Sequence, residues 1–315
     1  MDTLRAAVIG VGYFGSRHAA KLAELPGVRL EFVVDLDRTR AEKVAAQVGA
    51  RACADYREAL GAVDIATVAV PTQAHAEVAE ALLGAGVHLL IEKPLTVTLA
   101  EADRVVAAAA KNGLVLRVGH LERFNPALVA VRDRIAAPRF MECHRLAPFK
   151  PRGIDVDVVL DIMIHDLDII LSLVDSPVTE VRANGVSVLT PGIDIANARI
   201  EFANGCVANV TASRVSAKSM RKLRVFQPDC YVSIDFQDRS IDVARADPGA
   251  TGGPIPGIRL ERAQYPEGDS LEAELAAFVD AVRGRDRPAA TGQDARRALE
   301  VALSISHRIR GDTTA

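Results

Sequence analysis

Two stretches of the 315-residue sequence place residue types that can move charge near neutral pH. In the first, Glu92-Lys93-Pro94 follows the apolar run Val87–Ile91. A lysine at the end of a buried strand can hydrogen-bond a reacting hydroxyl and stabilise the alkoxide it becomes. The same three residues also read as a surface ion pair before a turn proline. In the second, Asp157, Asp161, His165 and Asp168 fall at i, i+4, i+8 and i+11 on a very apolar helix expected over roughly 156–174. Asp161 and His165 are one turn apart, so a carboxylate can sit beside an imidazole that gains and loses a proton. Two other readings stand beside this one. The stripe also fits a satisfied helix face whose acids suit the helix dipole, or a metal site. No third His or Cys clusters with it, so no metal is expected.

A third pattern concerns a nucleotide. Gly10-Val11-Gly12-Tyr13-Phe14-Gly15 is a GxGxxG between an expected strand and an expected helix. In such a loop Gly10 allows the tight turn, Gly12 lets backbone approach a pyrophosphate, and Gly15 lets helix and strand pack closely. The helix N-terminus then receives phosphate charge. Asp35 closes the next expected strand, where a carboxylate accepts hydrogen bonds from adenosine ribose hydroxyls. That carboxylate repels a 2′-phosphate and favours NAD over NADP, although Arg38 is near enough in sequence to offer a phosphate partner. His75, just after Pro71-Thr72, is placed either against the cofactor or on an exposed helix face.

Basic and polar side chains near the second stretch are candidates for holding a substrate. Arg123 and Asn125 follow the last strand of the first half, with Asn125 also suited to cap a helix at Pro126. Arg145, Lys150 and Arg152 surround the loop leading to the Asp161/His165 helix and would suit a phosphate, though solvated charges fit as well.

The elements that must position these groups change character midway. The first ~120 residues alternate strand and helix, the pattern of a doubly wound parallel sheet. Five strands are expected there, over Arg5–Ile9, Leu30–Val34, Asp64–Val70, Val87–Ile91 and Leu114–Val118. From Thr179 to Tyr265 alternating strands with turns such as Asn204-Gly205 predict a mainly antiparallel sheet. The expected architecture is α/β: a Rossmann-type doubly wound domain over 1–122 and an α+β domain over 123–315, with the C-terminal helix able to pack back on the first.

Composition removes other classes. Lys plus Arg (38) against Asp plus Glu (41) leaves a charge of −3, which offers no basic field for nucleic acid or an anionic membrane. Without Trp, and with 9 Phe and 4 Tyr, stacking platforms are scarce, so a polar ligand would be held by hydrogen bonds. The four cysteines are scattered without zinc spacing. The start carries no signal-peptide pattern and no apolar run approaches the ~18 residues of a membrane span, so a cytoplasmic protein is expected.

Taken together, GVGYFG, Asp35, Pro71-Thr72 with His75, Glu92-Lys93-Pro94 and Asp161-x-x-x-His165 resemble the glucose-fructose oxidoreductase and inositol dehydrogenase (Gfo/Idh/MocA) family nearly end to end. The resemblance implies a nicotinamide cofactor, here NAD, held by Gly10, Gly12, Tyr13, Phe14, Gly15, Asp35, Pro71, Thr72, His75, Glu92 and Lys93. It also implies a cis proline after Lys93, a catalytic group of Lys93, Asp161 and His165, and a homodimer or homotetramer built through the open sheet. Residues 119–126 and 160–168 are most similar to family members that oxidise the 3-hydroxyl of UDP-N-acetylglucosamine ahead of an aminotransferase. This implies a nucleotide-sugar substrate met by Lys93, Arg123, Asn125, Lys150, Arg152, Asp161 and His165. The alternatives are an inositol or free-sugar dehydrogenase, or a non-catalytic NAD(H)-binding regulator.

Overall fold

A computed structural model describes residues 3–150, 156–251, 255–285 and 289–311. The chain divides into two compact units, Met1–Leu121 with Asp269–Arg296, and Glu122–Gly268 with Arg297–Ala315. Segment 269–296, which the sequence reading placed in the second half, thus belongs to the first.

The first unit contains a parallel sheet of β1 (Leu4–Ile9), β2 (Val28–Val34), β3 (Arg51–Cys53), β4 (Ile65–Val68), β5 (His88–Glu92) and β6 (Leu116–Gly119), in the order β3-β2-β1-β4-β5-β6. The central strands are near-continuous apolar runs because a parallel sheet covered on both faces buries every side chain; all four residues of β4 are buried. Helices α1 (Tyr13–Glu24), α2 (Arg38–Val48), α3 (His75–Gly84) and α4 (Leu99–Lys111) supply the cover. Thr98 and Glu101 cap α4 reciprocally, as their spacing predicts. The sixth strand, β3, was not expected. It is three residues long, and only its last is buried, so it lacks an apolar signal. The strand order reverses at β1 and β4, the switch point beside which doubly wound sheets bind ligands.

The second unit holds an eight-stranded sheet: β7 (Phe140–Leu146), β8 (Val178–Val186), β9 (Ile195–Phe202), β10 (Val207–Ser213), β11 (Met220–Gln227), β12 (Cys230–Asp235), β13 (Ser240–Ala246) and β14 (Ile258–Gln264). Its order is β14-β13-β12-β11-β7-β10-β9-β8, antiparallel except for the β7/β10 pair. Burial alternates along β7, so Met141, Cys143 and Arg145 face the core while their neighbours face outward. That core also takes in α5 (Pro126–Val131), α6 (Ile164–Leu173) and part of the last helix. Among the described residues no helix is long and apolar enough to cross a membrane.

Of the two remaining helices, α7 (Ser270–Val282) lies wholly in the first unit and α8 (Gly292–Arg310) contributes to both. Leu275, Phe278 and Val279 of α7 complete a core with Leu22, Leu30 and Val33. Lys21 of α1 pairs with Asp269 and Glu272 at 2.8 and 3.0 Å.

Candidate active site

The residues singled out above fall into two groups, one in each unit. In the first unit the glycine loop turns from β1 into α1. Gly10 has φ +84°, and a Cβ there would stand 2.8 Å from the backbone of Ala69 and Val70. A Cβ on Gly15 would collide with the Gly10 carbonyl oxygen. Gly12 differs, because a Cβ there would meet nothing within 4 Å. Its bareness meets no packing need of the chain, and no side chain caps the helix it begins. An open backbone at an uncapped helix N-terminus fits a pyrophosphate. Tyr13 and Phe14 are exposed beside it.

Asp35 lies at the end of β2 and accepts from Val11 N of the glycine loop and from Asp37 N, both at 2.9 Å. Its basic neighbour is Arg40, at 3.2 Å, which also reaches Asp37 at 3.2 Å. Arg38, by contrast, meets Glu42, four residues along α2, at 2.9 Å.

Lys93 follows β5, is half-buried, and precedes a cis bond to Pro94. Two histidines hold the turn around it. His18 of α1, buried, meets Glu92 at 3.0 Å. Burial alone would push the Glu92 carboxyl up, but this hydrogen bond and the charges of His18 and Lys93 hold it below its ordinary range. His75, only 1% exposed, turns Nδ1 toward the carbonyls of Pro94 and Leu95, at 3.0 and 3.2 Å, and Nε2 toward that of Val70, at 2.9 Å. Burial lowers its pKa, against the pull of those carbonyls, which favour a proton on the ring. Pro71 is exposed and Thr72 half-buried in the short turn before α3.

In the second unit the helix expected over 156–174 is not uniform. Val159–Met163 form a π-turn, with Ile164 N bonded to Val159 O, and α6 follows. A π-turn takes about one residue more than an α-turn, so residues on either side no longer share one α-helical stripe. The four expected polar residues separate accordingly. Asp157 accepts from the N–H groups of Val159 and Leu160, both at 3.1 Å, and pairs with Arg310 at 3.0 Å. Asp168 is gripped by Arg123 through two bonds of 2.7 Å. Asp161, within the π-turn, and His165, in the first turn of α6, stay half-exposed. π-Turns are frequent at functional sites.

The candidate substrate residues are placed less uniformly. Arg123, on Asp168, and Asn125, whose amide donates to Phe236 O and whose oxygen caps α5, are both turned inward. Arg145, read from sequence as part of a phosphate cluster, is instead buried against Asp166 at 2.7 Å and Glu122 at 2.8 Å. Burial works against its charge, yet those two carboxylates raise its pKa. Lys150 is exposed, and Arg152 lies outside the described residues. Sequence reasoning overlooked Glu122, Asp166 and Arg310 as partners; nothing local marks them, since each meets its partner across the fold. Among the described residues no three His, Cys, Asp or Glu side chains gather as a metal site.

Comparison with known proteins adds to this geometry. Residues 4–120 match the oxidoreductase family with an NAD-binding Rossmann fold, and residues 135–231 match the GFO/IDH/MocA C-terminal domain. A UDP-N-acetylglucosamine 3-dehydrogenase of Acidithiobacillus ferrooxidans is 40% identical over 97% of each chain. A solved structure of UDP-N-acetylglucosamine 3-dehydrogenase from the same organism covers 100% of both chains with a TM-score of 0.91 and 38% identity. A scyllo-inositol 2-dehydrogenase (NAD(+)) of Bacillus subtilis is 27% identical over 98% of this chain and 94% of its own.

Proposed function

The chain belongs to the Gfo/Idh/MocA oxidoreductases, with their NAD-binding Rossmann fold, and on that premise we propose that it oxidises the 3-hydroxyl of UDP-N-acetylglucosamine to a ketone. The observation that carries the choice of substrate is end-to-end similarity, 40% identity over 97% of the chain, to an enzyme named for that reaction. Geometry supports the rest of the reading. Gly12 and the uncapped start of α1 receive the cofactor's pyrophosphate, and Asp35 its adenosine ribose. When bound, the nicotinamide supplies the acceptor for the hydride that leaves the carbinol carbon.

The chain's own residues manage the proton and the charge. His165 accepts the hydroxyl proton, and Asp161 orients the imidazole and balances its charge. Lys93 donates a hydrogen bond to the oxygen as negative charge grows on it, an interaction stronger in the transition state than before it. In this reading the first unit holds NAD and the second holds the sugar. Lys150 and Arg152 are the cations assigned to the diphosphate. Homo-oligomerisation through the open sheet face and consumption of the ketone by an aminotransferase belong to the same proposal.

The test compares NAD reduction with UDP-N-acetylglucosamine against free N-acetylglucosamine, glucose and myo-inositol, with a ketone trap present. Turnover of the nucleotide sugar alone is expected. Turnover of myo-inositol with neither binding nor turnover of the UDP-sugar would overturn the reading in favour of an inositol dehydrogenase.

A further inference from the structure

The π-turn that carries Asp161 is held at both ends, and the two ends are held differently. On its C-terminal side, Asp166 and Asp168 are each buried against an arginine, Arg145 and Arg123, whose side chains are themselves largely buried. At its N-terminal side the holder is Asp157. One oxygen of this carboxylate accepts the N–H groups of Val159 and Leu160, and its main-chain oxygen accepts Asp161 N at 3.1 Å. The other carboxylate oxygen meets Arg310 at 3.0 Å. The Asp157 side chain is 1% exposed, whereas that of Arg310 is 53% exposed. Arg310 is the last residue of α8, far from this turn in sequence.

A buried carboxylate needs a cation or several donors to remain charged where it is. Among the described residues Asp157 has two backbone donors and one cation, Arg310, and of these the cation comes from outside the turn. Without Arg310, the carboxylate has reason to draw toward solvent and take the Val159 and Leu160 N–H groups with it. A π-turn is a rare conformation that persists where its surroundings fix it. Release of its first bonds allows relaxation toward the commoner α-helix, which rotates Asp161 relative to His165.

We propose that Arg310 is a positioning residue, which through the Asp157 cap holds the π-turn in the form that presents Asp161 beside His165. The inference rests on the role given above to Asp161. It places the end of the last helix in the framework of the catalytic group.

The test is a set of variants in the full chain: Arg310→Ala, Arg310→Lys, Asp157→Asn, Asp161→Asn and the double variant Arg310→Ala/Asp161→Asn. Arg310→Ala is expected to lower kcat by roughly 10–100-fold, the scale of a catalytic group displaced by a distant change. KM for the sugar and Kd for NAD should stay within about twofold. Arg310→Lys should recover most of the loss, and Asp157→Asn should reproduce it, which also covers the case of Arg310→Ala failing to fold. Because Arg310 acts through Asp161, the double variant should be no slower than Asp161→Asn alone. Multiplied losses in the double variant, or wild-type kcat in Arg310→Ala beside an impaired Asp161→Asn, overturn this inference and leave the Asp161 reading standing. Wild-type kcat in Asp161→Asn removes both.

Discussion

The Lys93 turn and the Asp161/His165 turn are held by opposite means. Around Lys93 the holding groups are His75, on three backbone carbonyls, and His18, on Glu92. Around Asp161 and His165 they are three carboxylates, Asp157, Asp166 and Asp168, each on its own arginine. In the proposed scheme, the lysine that must remain charged is thus framed mainly by imidazoles, while the base that must change charge sits in a framework of compensated ion pairs. The two devices fail differently. A hydrogen-bonded staple loses its bonds, whereas a broken buried pair leaves a charge with nowhere to go.

Removing the reacting groups themselves should have the largest effect. Lys93→Met and His165→Ala should each lower turnover by about 10²–10⁴-fold, and His165→Ala should leave NAD affinity within about twofold, measured by single-turnover kinetics and by calorimetry. Near wild-type chemistry in either variant would remove that residue from the scheme.

Stability should next separate the two frameworks. Arg123→Met removes the cation that Asp168 meets through two bonds and should destabilise the fold by about 3–5 kcal/mol. His75→Gln should lose only about 1–3 kcal/mol. Far-UV circular dichroism during denaturation checks the order, and equal losses would erase the contrast.

Acid should also reach the two units in different windows. His75 and His88 in the first unit have pKa values lowered by burial, so their contribution is complete above the ordinary 6.5 and declines as pH falls below it. In the second unit Asp194 accepts from the N–H groups of Val188, Leu189 and Thr190 and from the Thr190 hydroxyl. Burial opposes its charge, but these donors bring its pKa from 3.8 down to about 2. Its contribution is therefore complete above 3.8 and is lost as pH falls toward 2. Melting curves across pH should show His75→Gln flattening the limb below 6.5 and Asp194→Asn only the limb below 3.8.

The smallest effect concerns cofactor choice. The wild-type protein should bind NAD more tightly than NADP, and Asp35→Ser should shift that ratio toward NADP by on the order of tenfold, about 1.4 kcal/mol. Arg38→Ala should leave both dissociation constants unchanged, because Arg40 and not Arg38 meets Asp35. A shift produced by Arg38→Ala would reverse that assignment.

The sequence made the first unit more legible than the second. Its glycine loop, Asp35 and Glu92-Lys93-Pro94 all sit at strand ends, and a parallel strand announces its end by the close of an apolar run. The short β3 escaped because three residues, one of them buried, form no run. In the second unit the polar stripe was visible, but not the π-turn that divides it, since no period in the sequence encodes one inserted residue. The arginines that claim its aspartates stand 21, 45 and 153 residues away, so only the fold shows that Arg123 and Arg145 are already engaged.

The assignment of segment 269–296 to the first unit bears on the order in which the chain is made. A ribosome releases the six-stranded sheet early, yet the face of α1 and β2 that Leu275, Phe278 and Val279 cover stays bare until α7 emerges. The entire second sheet is synthesised in that interval. Nascent chains halted near residue 122 should therefore display Leu22, Leu30 and Val33 as an adhesive patch, and a gene fragment ending there is a poor choice for producing the nucleotide-binding half alone.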